Sequence, residues 1–119
     1  MVARLTQIDY DREMAFVAQS TNEQGENETL GVVRAVMDPD DERAEFAIVV
    51  RSDMKGKGLG RALMEKVIRY LKDRGVPKVV GQVLPDNKAM LGLAQSLGFE
   101  ASRLESGEAF ELVLDLGAK

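Results

Sequence analysis

A glycine-rich basic segment near the middle of the chain has residue types and spacing that could bind a phosphate group. Its sequence is Lys55-Gly56-Lys57-Gly58-Leu59-Gly60-Arg61. Glycines at every second position leave backbone N–H groups uncovered, and the amphipathic pattern after them predicts a helix whose positive dipole end lies at the same place. The two lysines and the arginine add positive charge. The alternative is a basic, glycine-rich helix start that binds nothing, because short glycine motifs match many unrelated loops.

The absence of two residue types limits the chemistry that this chain could perform. The 119 residues contain no Cys and no His. A thiolate nucleophile, a zinc–thiolate site and a Ser-His pair are therefore excluded, and acid–base work falls to Glu, Asp, Lys or Tyr. The acidic turn at residues 38–42 lacks the glycine and glutamate that an EF-hand loop needs at its sixth and twelfth positions. We expect no metal site.

Composition and charge indicate an ordinary globular protein. Hydrophobic residues make up 45% and charged residues 30%, and the formal net charge of −4 argues against a general nucleic-acid surface. No apolar run reaches the roughly 20 residues that a membrane helix needs, and no signal peptide is visible. We expect one domain over residues 1–119, located in the cytoplasm, with no nucleic-acid or membrane partner.

The elements that must position the glycine loop follow an α/β pattern. Apolar and β-branched runs predict three strands in an antiparallel meander, at residues 14–19, 30–37 and 43–50. The stripe after the loop predicts a helix that ends at Gly75; its inward residues are Leu59, Leu63, Val67 and Leu71. A strand at residues 78–84, reached through that helix, should pair parallel to the third strand.

The two ends of the chain complete this pattern. A second helix is predicted at residues 87–97, followed by a closing hairpin of strands at residues 99–104 and 109–116. At the other end, Val2, Leu5 and Ile8 have helical spacing. Residues 1–13 are therefore predicted to be the remnant of a helix that packs on the domain.

The strands before the loop argue against two common nucleotide-binding folds. A P-loop ends in Gly-Lys-Ser/Thr, whereas this loop ends in Gly60-Arg61-Ala62. A dinucleotide fold has Gly-x-Gly-x-x-Gly at the first turn of a parallel sheet. Here Arg61 occupies the third glycine position, and antiparallel strands come first. The phosphate ligand must then belong to another class.

Two motifs in this chain resemble those of the GNAT N-acetyltransferases. Residues 55–60 resemble the family's loop for the pyrophosphate of acyl-CoA, Arg/Gln-x-x-Gly-x-Gly/Ala, with Lys55 at the first position. Asn87 lies twelve residues before Phe99 of a Leu-Gly-Phe ending, as in the family's second signature. The resemblance implies an α/β (α+β) fold: a mixed, mostly antiparallel sheet with a central splayed parallel strand pair and flanking helices.

The resemblance also implies an acetyl-CoA site and a general base. The implied CoA-binding residues are Ile48, Val49, Val50, Lys55, Gly56, Lys57, Gly58, Leu59, Gly60, Arg61 and Asn87. The family's glutamate on the strand before the loop corresponds to Glu45, which would take a proton from the acceptor amine. The residues alone leave other interpretations open, because Glu45 could simply face water and the valines could simply form core strand.

The second signature carries one departure from the family. Asn87 could serve as a helix N-cap, as a contact to the CoA arm, or as both. Many members place a tyrosine seven residues later as the acid for the leaving thiolate, and this chain has Ala94 there. A side-chain acid is therefore in doubt, and the thiolate would take its proton from water or from the incoming amine.

A narrower resemblance involves residues 4–18, which are similar to the C-terminal domain of bacterial Pat-type protein lysine acetyltransferases. That resemblance implies a domain that is N-terminally truncated here, with an exposed sheet edge and either a homodimer partner or a missing upstream domain. It implies acetyl transfer to a protein lysine, for which an acyl-CoA synthetase is the typical target. The alternatives are a small-molecule amine acetyltransferase and a non-catalytic acyl-CoA sensor.

Overall fold

The computed structural model describes residues 4–56 and 58–117. These residues form one sheet and two α-helices. In chain order the elements are β1 (Arg4–Asp9), β2 (Glu13–Thr21), β3 (Asn27–Met37), β4 (Arg43–Val50), a short 3-10 turn (Ser52–Met54), α1 (Leu59–Arg74), β5 (Lys78–Val83), α2 (Lys88–Ser96), β6 (Glu100–Arg103) and β7 (Phe110–Asp115). The mixed sheet with flanking helices confirms the predicted fold class.

The prediction of a helix near the N-terminus is wrong. The described part of that segment forms β1, which pairs antiparallel with β2 from Arg4 opposite Gln19 to Asp9 opposite Met14. Every residue of β1 is exposed, because the strand lies at the edge of the sheet and neither helix covers it. An edge strand exposed on both faces needs no alternation of apolar and polar residues, so helical spacing arose there by coincidence. Val2 lies outside the described residues.

The described strands form one seven-stranded sheet in the order β1-β2-β3-β4-β5-β7-β6. All neighbouring pairs are antiparallel except β4 and β5, which are parallel. This confirms the parallel pair that the connection through α1 predicted, since a crossover helix returns the chain in the same direction. The pair stands at the centre of the sheet, with the meander on one side and the closing hairpin on the other.

Both helices pack on the same face of the sheet. The inward stripe of α1 is fully buried from Leu63 through Val67 to Leu71, and the helix packs against β2, β3 and β4. Helix α2 lies beside α1, because Arg61 Nη2 donates to Ser96 Oγ at 2.9 Å. Under the helices the Phe46 ring stands 5.4 Å from that of Phe99 and occupies the space that a Cβ at Gly81 would need. Glycine at that position therefore leaves room for the Phe46 ring.

No helix covers the opposite face of the sheet among the described residues, and we call it the helix-free face. Its residues along the central strands are Val32, Arg34 and Val36 on β3, Glu45, Ala47 and Val49 on β4, Val80 and Gln82 on β5, and Glu111 and Val113 on β7. The molecule is only 21 Å thick along its shortest axis. Its accessible surface is 7499 Å², whereas a compact protein of 13.1 kDa exposes about 6,400 Å².

Candidate active site

The parallel strands β4 and β5 separate halfway along their length. Their pairing runs from Arg43 opposite Lys78 to Glu45 opposite Val80 and then stops. Beyond that point β4 pairs only with β3, and β5 pairs only with β7. The edges of residues 46–50 and 81–83 that face each other consequently present backbone N–H and C=O groups without a strand partner. Such groups can pair with the amides of an extended ligand.

A cavity of about 490 Å³, which we call the loop cavity, lies beside the end of β4. Its lining comes from four segments: the end of β4, the glycine loop, the start of α1 and the start of α2. The lining residues are Ile48, Val49, Val50, Lys55, Gly56, Gly58, Gly60, Arg61, Asn87, Ala89, Met90 and Leu93. The structure thus brings together nine of the eleven residues that the sequence assigned to CoA binding.

The backbone of the glycine loop has the conformations that only glycine adopts easily. Gly56 has a φ of 80° and Gly58 a φ of 84°, both in the left-handed region, and a Cβ at either position would meet no atom within 4 Å. Gly58 precedes α1 and has no side chain to cap the N–H groups of the first turn. Those groups have no intrahelical acceptors, so they are available to an anion in the cavity.

One described residue of the prediction, Leu59, is not among the residues that line the cavity. Leu59 packs its side chain against the hydrophobic core, so only its backbone could contact a ligand. Lys57 lies outside the described residues. Arg61 lines the cavity, but its guanidinium also contacts α2 through Ser96 and lies 3.5 Å from Glu65 Oε2. This arginine therefore links the two helices as well as adding charge.

Residues of α2 form the wall opposite the glycine loop. Asn87 Oδ1 accepts a hydrogen bond from Met90 N–H at 3.2 Å, which makes it the N-cap of α2 while it also lines the cavity. Sequence reasoning did not identify Ala89, Met90 and Leu93 as lining residues; the three-residue spacing of Met90 and Leu93 after Asn87 was the only signal. Ala94 is fully buried, so α2 offers no acid at that position.

An ion-pair network fixes the connection between β4 and the loop. Arg51 Nε and Nη2 donate to the two carboxylate oxygens of Asp53 at 2.6 Å and 3.0 Å, and Nη1 donates to Glu28 Oε2 at 3.5 Å. The Arg51 backbone N–H donates to Leu30 O at 2.8 Å. The hydrogen bonds that Arg51 donates to Asp53, together with the nearby charge of Glu28, raise the pKa of the Arg51 guanidinium. Arg51 therefore connects the turn before the glycine loop to β3.

Replacing Arg51 with Gln should weaken CoA binding about two- to fivefold with little loss of thermal stability, because exposed ion pairs contribute modestly. Titration calorimetry with CoA measures the affinity, and a thermal melt measures the stability. Arg69→Gln is the matched control, because it breaks an exposed pair with Asp73 at 3.3 Å on α1, away from the loop. Equal CoA affinities for the two variants would contradict a positioning role for Arg51.

Glu45 stands at the last paired position of β4, where the parallel strands separate. Its side chain points to the helix-free face, and it is not among the residues that line the loop cavity. It lines a second cavity of about 370 Å³, which we call the sheet-face cavity, with Val36, Met37, Asp38, Arg43, Val80 and Glu111. The two cavities thus lie on opposite sides of the separating strands and share β4. Sequence reasoning missed Glu111, because sheet order alone brings residue 111 near residue 45.

In residues 4–56 and 58–117, neither helix combines the length and the apolar character needed to cross a membrane. The same residues contain no group of three or more Asp or Glu side chains placed to hold a metal ion. The acidic turn after β3 is instead held by Asp38 Oδ1, which accepts from Glu42 N–H at 2.9 Å.

Comparison with known proteins identifies the family. The sequence profile of the Acetyltransferase (GNAT) family matches residues 2–99. A curated relative, the L-methionine sulfoximine/L-methionine sulfone acetyltransferase of Pseudomonas paraeruginosa, is 36% identical over 74 residues, which are 60% of this chain and 43% of the relative. The [ribosomal protein bS18]-alanine N-acetyltransferase of Escherichia coli is 41% identical over 64 residues, which are 54% of this chain and 43% of the relative.

The fold has close counterparts among solved structures. The GNAT domain of S. lividans PAT superimposes with a TM-score of 0.74 at 23% identity, covering 90% of this chain and 64% of that domain. The matches to the two curated relatives cover less than half of their lengths. The family profile, in contrast, spans most of the present sequence, both motif-bearing segments included. The chain belongs to the GNAT acetyltransferase family.

Proposed function

We propose that this chain is an acetyl-CoA-dependent N-acetyltransferase that uses the loop cavity for CoA and Glu45 as its general base. The observation that carries the proposal is the position of Glu45 at the last pair between β4 and β5. Beyond it, the predicted binding residues of β4, the loop and α2 line one cavity. The cavity proposed for CoA and the carboxylate proposed as base would thus both be held by β4, near the point where the strands separate.

The residues of the loop cavity suit acetyl-CoA chemically. Lys55, Arg61 and the first turn of α1 provide positive charge and N–H donors for a pyrophosphate. The unpaired backbone of residues 46–50 offers donors and acceptors for the amides of a pantetheine arm. Its volume of about 490 Å³ lies within the range of about 300–1,000 Å³ for ligand pockets. Bound acetyl-CoA would supply an acetyl group activated as a thioester.

The protein's own part in the reaction is proton transfer and positioning. A lysine amine has a pKa near ~10.4, so at neutral pH it must lose a proton before its nitrogen can attack a carbonyl carbon. Glu45, directly or through water, would take that proton while the C–N bond forms and the C–S bond breaks. A backbone N–H among residues 48–50 could donate to the carbonyl oxygen, a role worth about 3 kcal/mol.

The rate of transfer should rise with pH and show no descending limb between about pH 7 and 9. The thiolate would be protonated by water or by the proton of the incoming amine, since Ala94 is buried where a tyrosine acid would stand. A kcat/KM profile over that range measures this. Tyr70→Phe should leave the profile unchanged, because the Tyr70 hydroxyl interacts with Arg74 rather than with either cavity. A bell-shaped profile would show that a protonated side chain acts as the acid.

For the acceptor we propose a lysine ε-amine of a protein, with an acyl-CoA synthetase as one class of target. The similarity of residues 4–18 to Pat-type enzymes supports this choice. A small-molecule amine is the second candidate, and the relative named for L-methionine sulfoximine and sulfone supports it. Transfer of radiolabelled acetyl groups to a cell extract, split into protein and small-molecule fractions, distinguishes the two. CoA binding without transfer to either fraction would favour an acyl-CoA sensor.

We also propose that a partner covers part of the helix-free face, in a cytoplasmic protein. The molecule exposes about 1,100 Å² more surface than a compact protein of its mass, and each side of a standard interface buries about 800 Å². Val49 on this face is 71% exposed. The partner would be a second copy or a further domain, and residues 1–119 would act as a single domain. Native mass spectrometry measures whether the chain dimerises.

A further inference from the structure

The sheet-face cavity has a composition that bears on the acceptor, and this inference rests on the proposed function. The cavity lies on the side of the sheet opposite to α1 and α2, so it is separate from the loop cavity. Its volume is about 370 Å³. Glu45, the proposed base, reaches into it from β4. An acceptor held there would approach the separating strands from the side opposite to CoA.

The charged residues of this cavity are unequally paired. Arg43 is 4.0 Å from Asp38 at the rim, so these two charges offset each other. Glu45 and Glu111 form no ion pair or side-chain hydrogen bond with any described residue, and Glu111 is half-buried. Nearby on the same face, Arg34 lies 3.4 Å from Glu13. The cavity therefore keeps two unneutralised carboxylates, which favours a cationic occupant.

Strand register sets the separation of the two carboxylates. Glu45 is opposite Val80 on β5, and Glu111 is opposite Gln82 two residues further along. Two strand spacings and a two-residue offset place the two Cα atoms about 12 Å apart. Val80 and Gln82 of β5 lie between them on the helix-free face, and Val36 of β3 lies on the other side of Glu45. A hydrogen bond from each carboxylate to a cationic group takes up about 3 Å of this separation. Two cationic groups bound to the two carboxylates would therefore lie about 6 Å apart.

The geometry points to Glu111 as a specificity residue that selects an acceptor with two cationic groups. The acceptor would be a primary aliphatic amine with a second positive charge about 6 Å from its reacting nitrogen. Its reacting nitrogen would lie at Glu45, its methylene chain along Val80, and its distal cation at Glu111. The source is either a free diamine or a lysine beside another basic residue in a protein. Residue 111 lies beyond the segment that the family profile matches, residues 2–99.

The chemical step is unchanged by this assignment. The nitrogen at Glu45 forms the new amide bond to the acetyl carbon, its proton passes to the carboxylate, and the sulfur leaves with the electron pair of the C–S bond. The distal cation neither gains nor loses a bond. Glu111 would therefore affect the KM of the acceptor and leave kcat largely unaltered.

Three acceptors of equal length test the proposal: 1,5-diaminopentane, 5-amino-1-pentanol and 5-aminopentanoate. They differ only in a positive, neutral or negative distal group. In the wild-type protein the acceptor KM should be lowest for the diamine, by about fivefold relative to the alcohol, since a half-exposed ion pair contributes at most about 1 kcal/mol. Glu111→Gln should bring the three values within about twofold, and Glu111→Lys should favour the carboxylate.

Glu100→Gln is the matched control, because Glu100 lies on β6 on the same face, is exposed and does not line the cavity. It should keep the wild-type order of acceptors. Two peptides, with a lysine followed by arginine or by glutamate, identify the source of the second charge. If the protein prefers the peptide with arginine and Glu111→Gln removes that preference, the acceptor is a lysine of a protein. If Glu111 affects only the three small amines, the acceptor is a free diamine. Absence of preference in both sets overturns the proposal.

Equilibrium binding separates this proposal from the proposed function. Titration calorimetry of the whole protein with 1,5-diaminopentane and with 5-amino-1-pentanol needs no acetyl transfer. The diamine should bind more tightly than the alcohol, and Glu111→Gln should remove the difference. That result supports the specificity role of Glu111 even if no acetyl transfer occurs; in that case only the proposed reaction is wrong. Equal affinities for the two compounds in the wild-type protein overturn the role of Glu111, whatever the acetyl-transfer rate.

Discussion

Replacing Glu45 with Gln should lower kcat for acetyl transfer by about 10²–10⁴-fold, the usual contribution of a positioned general base. Glutamine keeps the size of the side chain but cannot take a proton at neutral pH. Glu45 is exposed on the helix-free face and lines only the sheet-face cavity, so CoA binding in the loop cavity should change by less than about twofold. The amide is also expected to leave the fold intact, since Glu45 has no ion pair to lose.

Steady-state kinetics with acetyl-CoA and an amine acceptor measure the loss, and titration calorimetry with CoA measures the binding. Glu100→Gln is again the control, because it makes the same change on the same face but outside both cavities. The decrease in kcat caused by Glu45→Gln should become smaller as the pH approaches the pKa of the acceptor amine, near ~10.4, because the amine is then neutral without a general base. A variant with unchanged kcat would show that Glu45 is an ordinary exposed strand residue.

The region around the loop was predictable because its signals are local. A strand, three glycines and an amphipathic helix follow one another between residues 43 and 74, and each has its own period or turn chemistry. The parallel pairing of β4 with β5 followed from the helix between them. Contacts fixed by neighbours in sequence need no knowledge of the rest of the fold, so these elements could be predicted from the residues alone. The lining residues of the loop cavity were implied by the family resemblance, and those on α2 were only partly included.

The sheet-face cavity and β1 could not be predicted because both depend on pairing between distant segments. Glu111 approaches Glu45 only because β7 pairs with β5, and β5 with the first half of β4. β1 is a strand only because β2 offers it a partner; its own residues carry a spacing that suits a helix. Exposed edge strands and cross-strand neighbours leave little trace in a single sequence, since neither imposes a pattern on the residues nearby.

Replacing Gly58 with Val should raise the Kd for CoA by about two orders of magnitude. Gly58 has a φ of 84°, which a β-branched residue adopts only with strain of about 1–3 kcal/mol. The added side chain would point into open space at the loop cavity and cover the N–H groups at the start of α1. A lost hydrogen bond to a charged phosphate costs about 1.5–3 kcal/mol, so one or two lost bonds account for the change in affinity.

Gly25→Val separates this loss of binding from backbone strain. Gly25 has a φ of 79° in the turn between β2 and β3, and a Cβ there also meets no atom within 4 Å. Both variants should therefore lose a similar amount of thermal stability, while only Gly58→Val loses CoA affinity. Thermal melts and titration calorimetry measure the two quantities on the same samples. Equal CoA affinities would mean that the glycine loop does not bind the pyrophosphate, and the basic, glycine-rich start of α1 would then serve only to begin a helix.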